Sequence, residues 1–500
     1  MAPLAPTLAS AQSAHTEVTP LLGTSATKPQ AQIREEAVTP FLRQEEQADD
    51  DGEDAPLPIV QIALLCYCRM VEPVAFFSIF PFINKMILET GNIEEADVGF
   101  YSGLIESLFS VTQMLLMISW GKAADRFGRK PVLVFSLSGV AVATALFGFS
   151  QTIWQMILFR CIAGVFAGTV VTVRAMISEN STHKTQARAF SLFAFTAYLG
   201  TFLGPLLGGL LCNPADQYPY LFGNVQFLRD YPYALPTFAT GLFGASAVFL
   251  AVFFIEEVQF FLATISKSSG GKASTDPKMS TWELLKAPGV SMVLYLYGHT
   301  MLLTFAYTVV LPLFWFTAPE LGGFGFSPRQ ISTFLGLAGV SQALWTLLVF
   351  PPLQHRLGTG GVLRLCALAW PIVFAMWPFC SILLVNSRMT AFWILVPTNV
   401  AVGYGVSMAH TCAQLALNDI SPSHYTLGTL NAISLVLISG IRAFSPAVFT
   451  SIFAAGIRDQ ILGGYLVWFV VTILAVVLAV AVFWLPKKAE GKLKHNNPTD

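Results

Sequence analysis

Twelve stretches of about twenty mostly apolar residues run through this chain, and they limit its fold more than any other feature does. Such a stretch crosses a bilayer as a helix, because hydrocarbon offers no partner to a backbone N–H or C=O. The first six begin near Leu57, Val98, Pro131, Ile153, Arg188 and Tyr233, and the second six near Val290, Gln330, Val362, Thr390, Tyr425 and Leu462. Charged residues make up 11% of the chain, against about 25% in soluble domains, so much of the surface does not face water. The spacing predicts an all-α integral membrane protein with twelve transmembrane helices in two pseudo-symmetric halves, 57–255 and 290–486. A flexible polar linker, 256–289, joins them, with a disordered acidic tail over 1–56 and a basic tail over 487–500.

The distribution of Lys and Arg orients the helices. Sixteen fall on loops 2–3, 4–5, 6–7, 8–9, 10–11 and the C-terminal tail, and five on the opposite side, which places both termini in the cytoplasm. The first 56 residues carry a net charge of −7 and the remainder +6, and the basic residues sit at the ends of apolar runs, a pattern unlike nucleic-acid binding. The chain start lacks the basic residues and apolar core of a signal peptide. Seven cysteines show no CxxC and no framework spacing, so neither disulfides nor a thiolate metal site is expected.

Between the second and third helices stands Gly121-Lys-Ala-Ala-Asp125-Arg126-Phe-Gly128-Arg129-Lys130. Its glycines let helix ends approach, and Asp125 can pair with basic side chains or a helix N-terminus, contacts suited to a conformational latch. A basic loop that only sets topology would need neither the Asp nor the glycines. Shifting by 230 residues aligns Arg126 with Arg356, Gly128 with Gly358, Val132 with Val362 and Leu133 with Leu363, as in duplicated halves. The fifth helix holds Gly200-Thr-Phe-Leu-Gly204-Pro205-Leu-Leu-Gly208-Gly209, a small-residue face with a kinking proline.

Ionisable residues within apolar helices are costly and mark function. Arg69 and Glu72 lie three apart in the first helix, on one face, where they can partly neutralise each other. Glu106, Arg160, Arg174 and Arg442 are the others, and a carboxylate among helices can load and release a proton near neutral pH. His299 with Tyr295, and His410 with Arg442, are candidates for a substrate cavity.

The loop motif resembles G-x-x-x-D-R-x-G-R-(K/R) of the major facilitator superfamily, and the fifth-helix pattern resembles the G-x-x-x-G-P-x-x-G-G motif of its drug/proton antiporters. Arg69-Met-Val-Glu72-Pro73, Phe80-Pro81-Phe82 and Gly103-Leu-Ile-Glu106-Ser107 are similar to the tetracycline-resistance-like branch, notably fungal zinc-induced-facilitator-like and secondary-metabolite transporters. The resemblance covers roughly residues 57–486. It implies a pore between halves, alternating access and proton coupling, and Arg160 stands at the family's fourth-helix arginine; of the carboxylates in the apolar helices, Glu72 is the first candidate for the carrier and Glu106 the second. The expected partners are a small molecule, protons and the bilayer, without cofactor or nucleic acid, for a chain acting as a monomer.

Proton-coupled export of amphipathic organic molecules heads the functional ranking. An uptake or vacuolar-storage permease follows it. Metal export ranks lower, because the cysteine pair of the plant relatives and a His-rich linker are both missing. No HExxH, nucleophile elbow or phosphate loop supports an enzyme. Glu17-Val-Thr-Pro-Leu21-Leu22 fits an acidic dileucine signal read by sorting adaptors, which leaves plasma membrane and vacuolar or endosomal membrane both open.

Overall fold

Helices make up nearly all of the computed structural model, which describes residues 57–181, 185–257, 281–422 and 424–491 and contains no strand among them. The tail with Glu17, Leu21 and Leu22, most of the linker, and residues 492–500 lie outside the described residues. The first half consists of α1 (Ile59–Phe77), α2 (Val98–Phe127), α3 (Arg129–Phe147), α4 (Ile153–Phe166, resumed as Thr169–Glu179), α5 (Gln186–Leu211) and α6 (Ala234–Phe254). The second consists of α7 (Val290–Phe316), α8 (Pro328–Leu344, running on to 357), α9 (359–385), α10 (Met389–Ile420), α11 (His424–Arg458) and α12 (Leu466–Ala481).

Among the described residues, eleven continuous helical stretches are long and apolar enough to cross a membrane, and one of them, Pro328–Val385, has 58 residues. That is far more than the roughly twenty a crossing takes. It breaks at Gly358 (φ 73°, ψ 167°), which separates α8 from α9 and brings the crossings to twelve. Gly128, between α2 and α3, has nearly the same backbone (φ 100°, ψ 153°). Only glycine adopts such angles without strain. The fragmentary repeat in sequence is therefore a full repeat in backbone: the turn is kept where most of the motif's charges are gone.

A carboxylate-bearing segment steadies the helix that follows each turn. Glu257, just after α6, accepts from the N–H groups of Arg129 and Lys130 at 2.8 Å each, capping the start of α3. Glu490, just after α12, accepts from Gly360 N–H through its backbone carbonyl (3.0 Å) and holds Arg364 with its carboxylate (2.7 Å). The second half is thus ordered beyond residue 486, with Ala489 fully buried. The linker is not uniformly loose either, since Thr281–Lys286 is a helix with Leu284 buried. One apolar anchor in each polar segment supplies the burial that its composition conceals.

Between the halves, α2 packs on α11 and α5 on α8. The contacts that join them gather at the end opposite the loop motif. Glu95 accepts from Ala318 N–H (2.6 Å), and Asp97 faces Arg458 at 3.9 Å. Deeper in, two serines bond across the interface beside helix prolines. Ser107 of α2 accepts from Ala447 N–H next to Pro446 (2.8 Å), and Ser332 of α8 donates to the Pro205 carbonyl of α5 (2.8 Å). At the motif end, the ion pairs Asp125–Arg129, Arg129–Glu179 and Arg364–Glu490 each stay within one half.

Candidate functional site

The site begins with a gap in α4. Helical geometry lapses at Ala167 (φ −75°, ψ 56°), and the freed carbonyls would be costly in hydrocarbon without partners. Side chains of neighbouring helices supply them. Trp120 donates to the Val165 carbonyl (2.8 Å), Ser136 to Phe166 (2.5 Å) and Gln113 to Ala167 (3.1 Å). Broken helices near mid-membrane recur where transporters bind ions and substrates.

Gln113 also reaches Glu72 of α1, donating to Oε1 at 2.6 Å, while Thr169, the first residue after the gap, donates to Oε2 at 2.5 Å. Glu72 is buried, and both of its oxygens are engaged by neutral donors. The sequence spacing lets Arg69 and Glu72 partly neutralise each other. No Arg69–Glu72 ion pair is present within 4.0 Å; the Arg69 guanidinium lies over Phe193, 5.2 Å from the ring centroid, with Nε and Nη1 lacking partners. Gln113 and Thr169 occupy the positions that such a pair would need. Neither drew notice in the sequence, although Thr169 directly follows Gly164-x-x-x-Gly168, where a helix gap is most easily made.

Arg69 and Glu72 line a cavity of about 420 Å³ between the halves. Gln113, Tyr198, His410 and Arg442 join them, and Phe76, Tyr307, Trp370 and Tyr404 supply much of the aromatic wall. His410 of α10 meets Tyr198 of α5 across the halves, Nδ1 to hydroxyl 3.4 Å. Arg442 lies over Phe76 at 4.6 Å. Arg160 also faces Phe76, at 5.2 Å, and Phe109, at 4.7 Å, but is shut behind them with Nε and Nη2 unpartnered. Glu106, buried near it, keeps Oε2 without a partner.

Two expected cavity residues are elsewhere. His299 and Tyr295 bond each other (3.1 Å) away from the cavity lining, and Tyr295 is 46% exposed on the outside of α7. Thr304, Tyr307 and Thr308, further along the same helix, face the cavity instead.

In the loop motif, Arg129 is the hub. It pairs with Asp125 (2.8 Å) and Glu179 of α4 (3.0 Å), and its own N–H is capped by Glu257. Arg126 lies over Phe127, 5.4 Å from the ring centroid. Lys130 contributes its backbone N–H to the cap. Gly121 is not a point of tight approach: a Cβ there would be 3.7 Å from Val171, an ordinary contact. The fifth-helix glycines are tight. Gly200, Gly204 and Gly208 press on α1, where a Cβ would lie 2.8 Å from Pro73 and 2.9 Å from the Val74 carbonyl at the first two and overlap Ser78 at the third. Gly209 meets Ser332 of α8, in the other half.

A polar-and-aromatic cavity between two repeated six-helix bundles, with a carboxylate held at a helix break, defines a membrane carrier. The Major Facilitator Superfamily model matches residues 65–369, and the chain belongs to that superfamily. It is 51% identical to the efflux pump azaK of Aspergillus niger over 433 residues, spanning 86% of this chain and 89% of that one. It is 29% identical to the major facilitator-type transporter psiT2 of Psilocybe cyanescens, over 87% of this chain and 92% of the other. Among solved structures, a bacterial homolog of the human lysosomal transporter Spinster, inward-facing and occupied, superposes with a TM-score of 0.63 at 14% identity, covering 87% of this chain and 99% of that one. The protein is a multi-pass membrane transporter and not an enzyme.

Proposed function

We propose that this transporter exports small amphipathic organic molecules from the cytoplasm by alternating access, in exchange for protons. One arrangement carries the reading: the Glu72 carboxylate, buried in the cavity wall, takes its hydrogen bonds from the neutral donors Gln113 and Thr169. A carboxylate so placed meets the substrate space on one side and a helix break on the other. A change in its charge is therefore felt by both. The efflux pump named above, related over most of both chains, supports the direction. The bonds between halves at the end opposite the loop motif support a cycle in which the motif end, cytoplasmic by its basic residues, is the one free to admit substrate. Asp125, Arg129 and Glu179, paired within the first half, are then the latch that governs how the motif end rearranges during the cycle.

The test is flux in proteoliposomes with an imposed pH gradient, screened over organic compounds. Uphill movement that follows the gradient and collapses with a protonophore is the expected result. Movement indifferent to the gradient would replace exchange with facilitated diffusion.

A further inference from the structure

We propose that the exported molecule carries a negative charge and that Arg69 and Arg442, one from each half, receive it. The inference rests on the export reading. Among the described residues, the cavity and the ring of side chains directly behind it hold three guanidiniums, Arg69, Arg160 and Arg442, against two carboxylates, Glu72 and Glu106. One positive charge is left over with both acids ionised. Buried charge of one sign without a counterion is costly, so the set is incomplete as it stands.

Geometry selects which guanidiniums are available. Arg160 is 3% exposed, walled off by Phe76 and Phe109. Arg69 and Arg442 line the cavity itself. Each lies over a ring, Phe193 and Phe76 respectively, which fixes the plane of its guanidinium. Arg69 keeps Nε and Nη1 without partners, and Glu72 does not take them, since Gln113 and Thr169 hold its oxygens. A guanidinium edge, Nε with Nη2 or Nη1 with Nη2, matches a carboxylate, sulfonate or phosphate oxygen pair, and on Arg69 either edge includes one of the two unpartnered nitrogens. A monoanion brings the count to three positive and three negative. A cation would add a fourth positive charge to a set already in excess. Phe77, Phe305, Tyr307, Trp370 and Tyr404 line the same space and suit an aromatic body. The substrate class is an aromatic acid, and the exchange of a proton for such an anion moves two charges per cycle.

The experiment uses the full-length purified protein and three probes that differ only in the polar group: a coumarin carboxylic acid, its primary amide and the matching aminomethyl coumarin. Fluorescence titration should place the acid about tenfold or more ahead of the amide, with the amine weakest. Arg69→Gln and Arg442→Gln should each cost the acid about tenfold and leave the amide within about twofold, with partial recovery in the Lys variants. Amide binding in each variant doubles as the check that it folds. Amine or amide binding as tightly as the acid, or an acid affinity unmoved in both Gln variants, overturns the proposal while export stands. Binding of none of the three overturns the export reading and this inference together.

Discussion

The two walls of the cavity face each other across a duplicated scaffold, yet they share little chemistry. The first half lines it with Arg69, Glu72 and Gln113 and backs it with Glu106 and Arg160. The second lines it with Tyr307, Trp370, Tyr404 and His410, and Arg442 is its one charged residue among those lining the cavity. The helix-opening turns differ in the same direction. Gly128 and Gly358 share a backbone, but Asp125 has no acidic counterpart: the aligned residue is His355. Duplication preserved the parts that set distances and angles, while charge drifted toward one half. On the export reading, the first half handles the proton and the second holds the body of the substrate.

Removing charge from the first wall should do the most damage. Glu72→Gln keeps the size of the side chain and loses the proton, so gradient-driven flux should fall by about a hundredfold or more, with binding and exchange largely intact. Against it, Trp370→Phe and Tyr404→Phe in the facing wall should keep gradient-driven flux and shift apparent affinity by about tenfold at most. If Glu72→Gln and Glu106→Gln both transport normally on a proton gradient, the division between walls is wrong.

Helix packing offers the next contrast. Gly204→Leu forces α5 off α1, where the Val74 carbonyl is already within 2.9 Å of the added carbon's position, and transport should be lost. Gly204→Ala meets that same atom and should lose part of the activity. Gly440 of α11 has nothing within 4 Å of its Cβ position, so Gly440→Leu should be tolerated. Equal tolerance of Leu at both places would mean the two halves pack alike.

The smallest effect is expected at the turns. Asp125 is exposed, and its pair with Arg129 is worth little in stability. Asp125→Asn should still lower turnover about three- to tenfold at unchanged affinity and membrane abundance, because Arg129 would be left with Glu179 alone. Glu490→Gln, which loosens Arg364 in the other half, should slow turnover less. Wild-type rates in Asp125→Asn would leave the first loop a topological signal only.

Much of this was readable in advance. Helix starts at Ile59, Val98, Arg129, Ile153 and Val290 lie within about two residues of the apolar run beginnings, because lipid imposes one length on every crossing. The Gly128–Gly358 turn was present as a fragment at fixed offset. The Gln113–Glu72–Thr169 cluster was not, since its members are 41 and 97 residues apart and only the α4 gap brings them together. His299 and Tyr295 were misplaced for a related cause. Most of α7 is buried, so its apolar residues mark no single inward face, and polar residues on it carry no address. In the linker and the last turn, a single buried residue outweighed polar surroundings.

The bond from Ala447 N–H to Ser107 has a consequence for solvent. Pro446 disturbs the local ladder of α11, and the neighbouring donor finds its partner in the other half. On the export reading, when that end parts the donor passes to whatever fills the cleft, and a water molecule takes it at a cost on the order of the ~0.6 kcal/mol that an interhelical hydrogen bond averages. The serine of α8 at Pro205 makes the same exchange. On the alternating-access reading, hydration is then part of the cycle: each opening draws water into the cleft, and each closing returns it. Solutes too large to enter the cleft should hold that end shut by osmotic work alone, slowing turnover in proportion to their osmolality rather than to their chemistry.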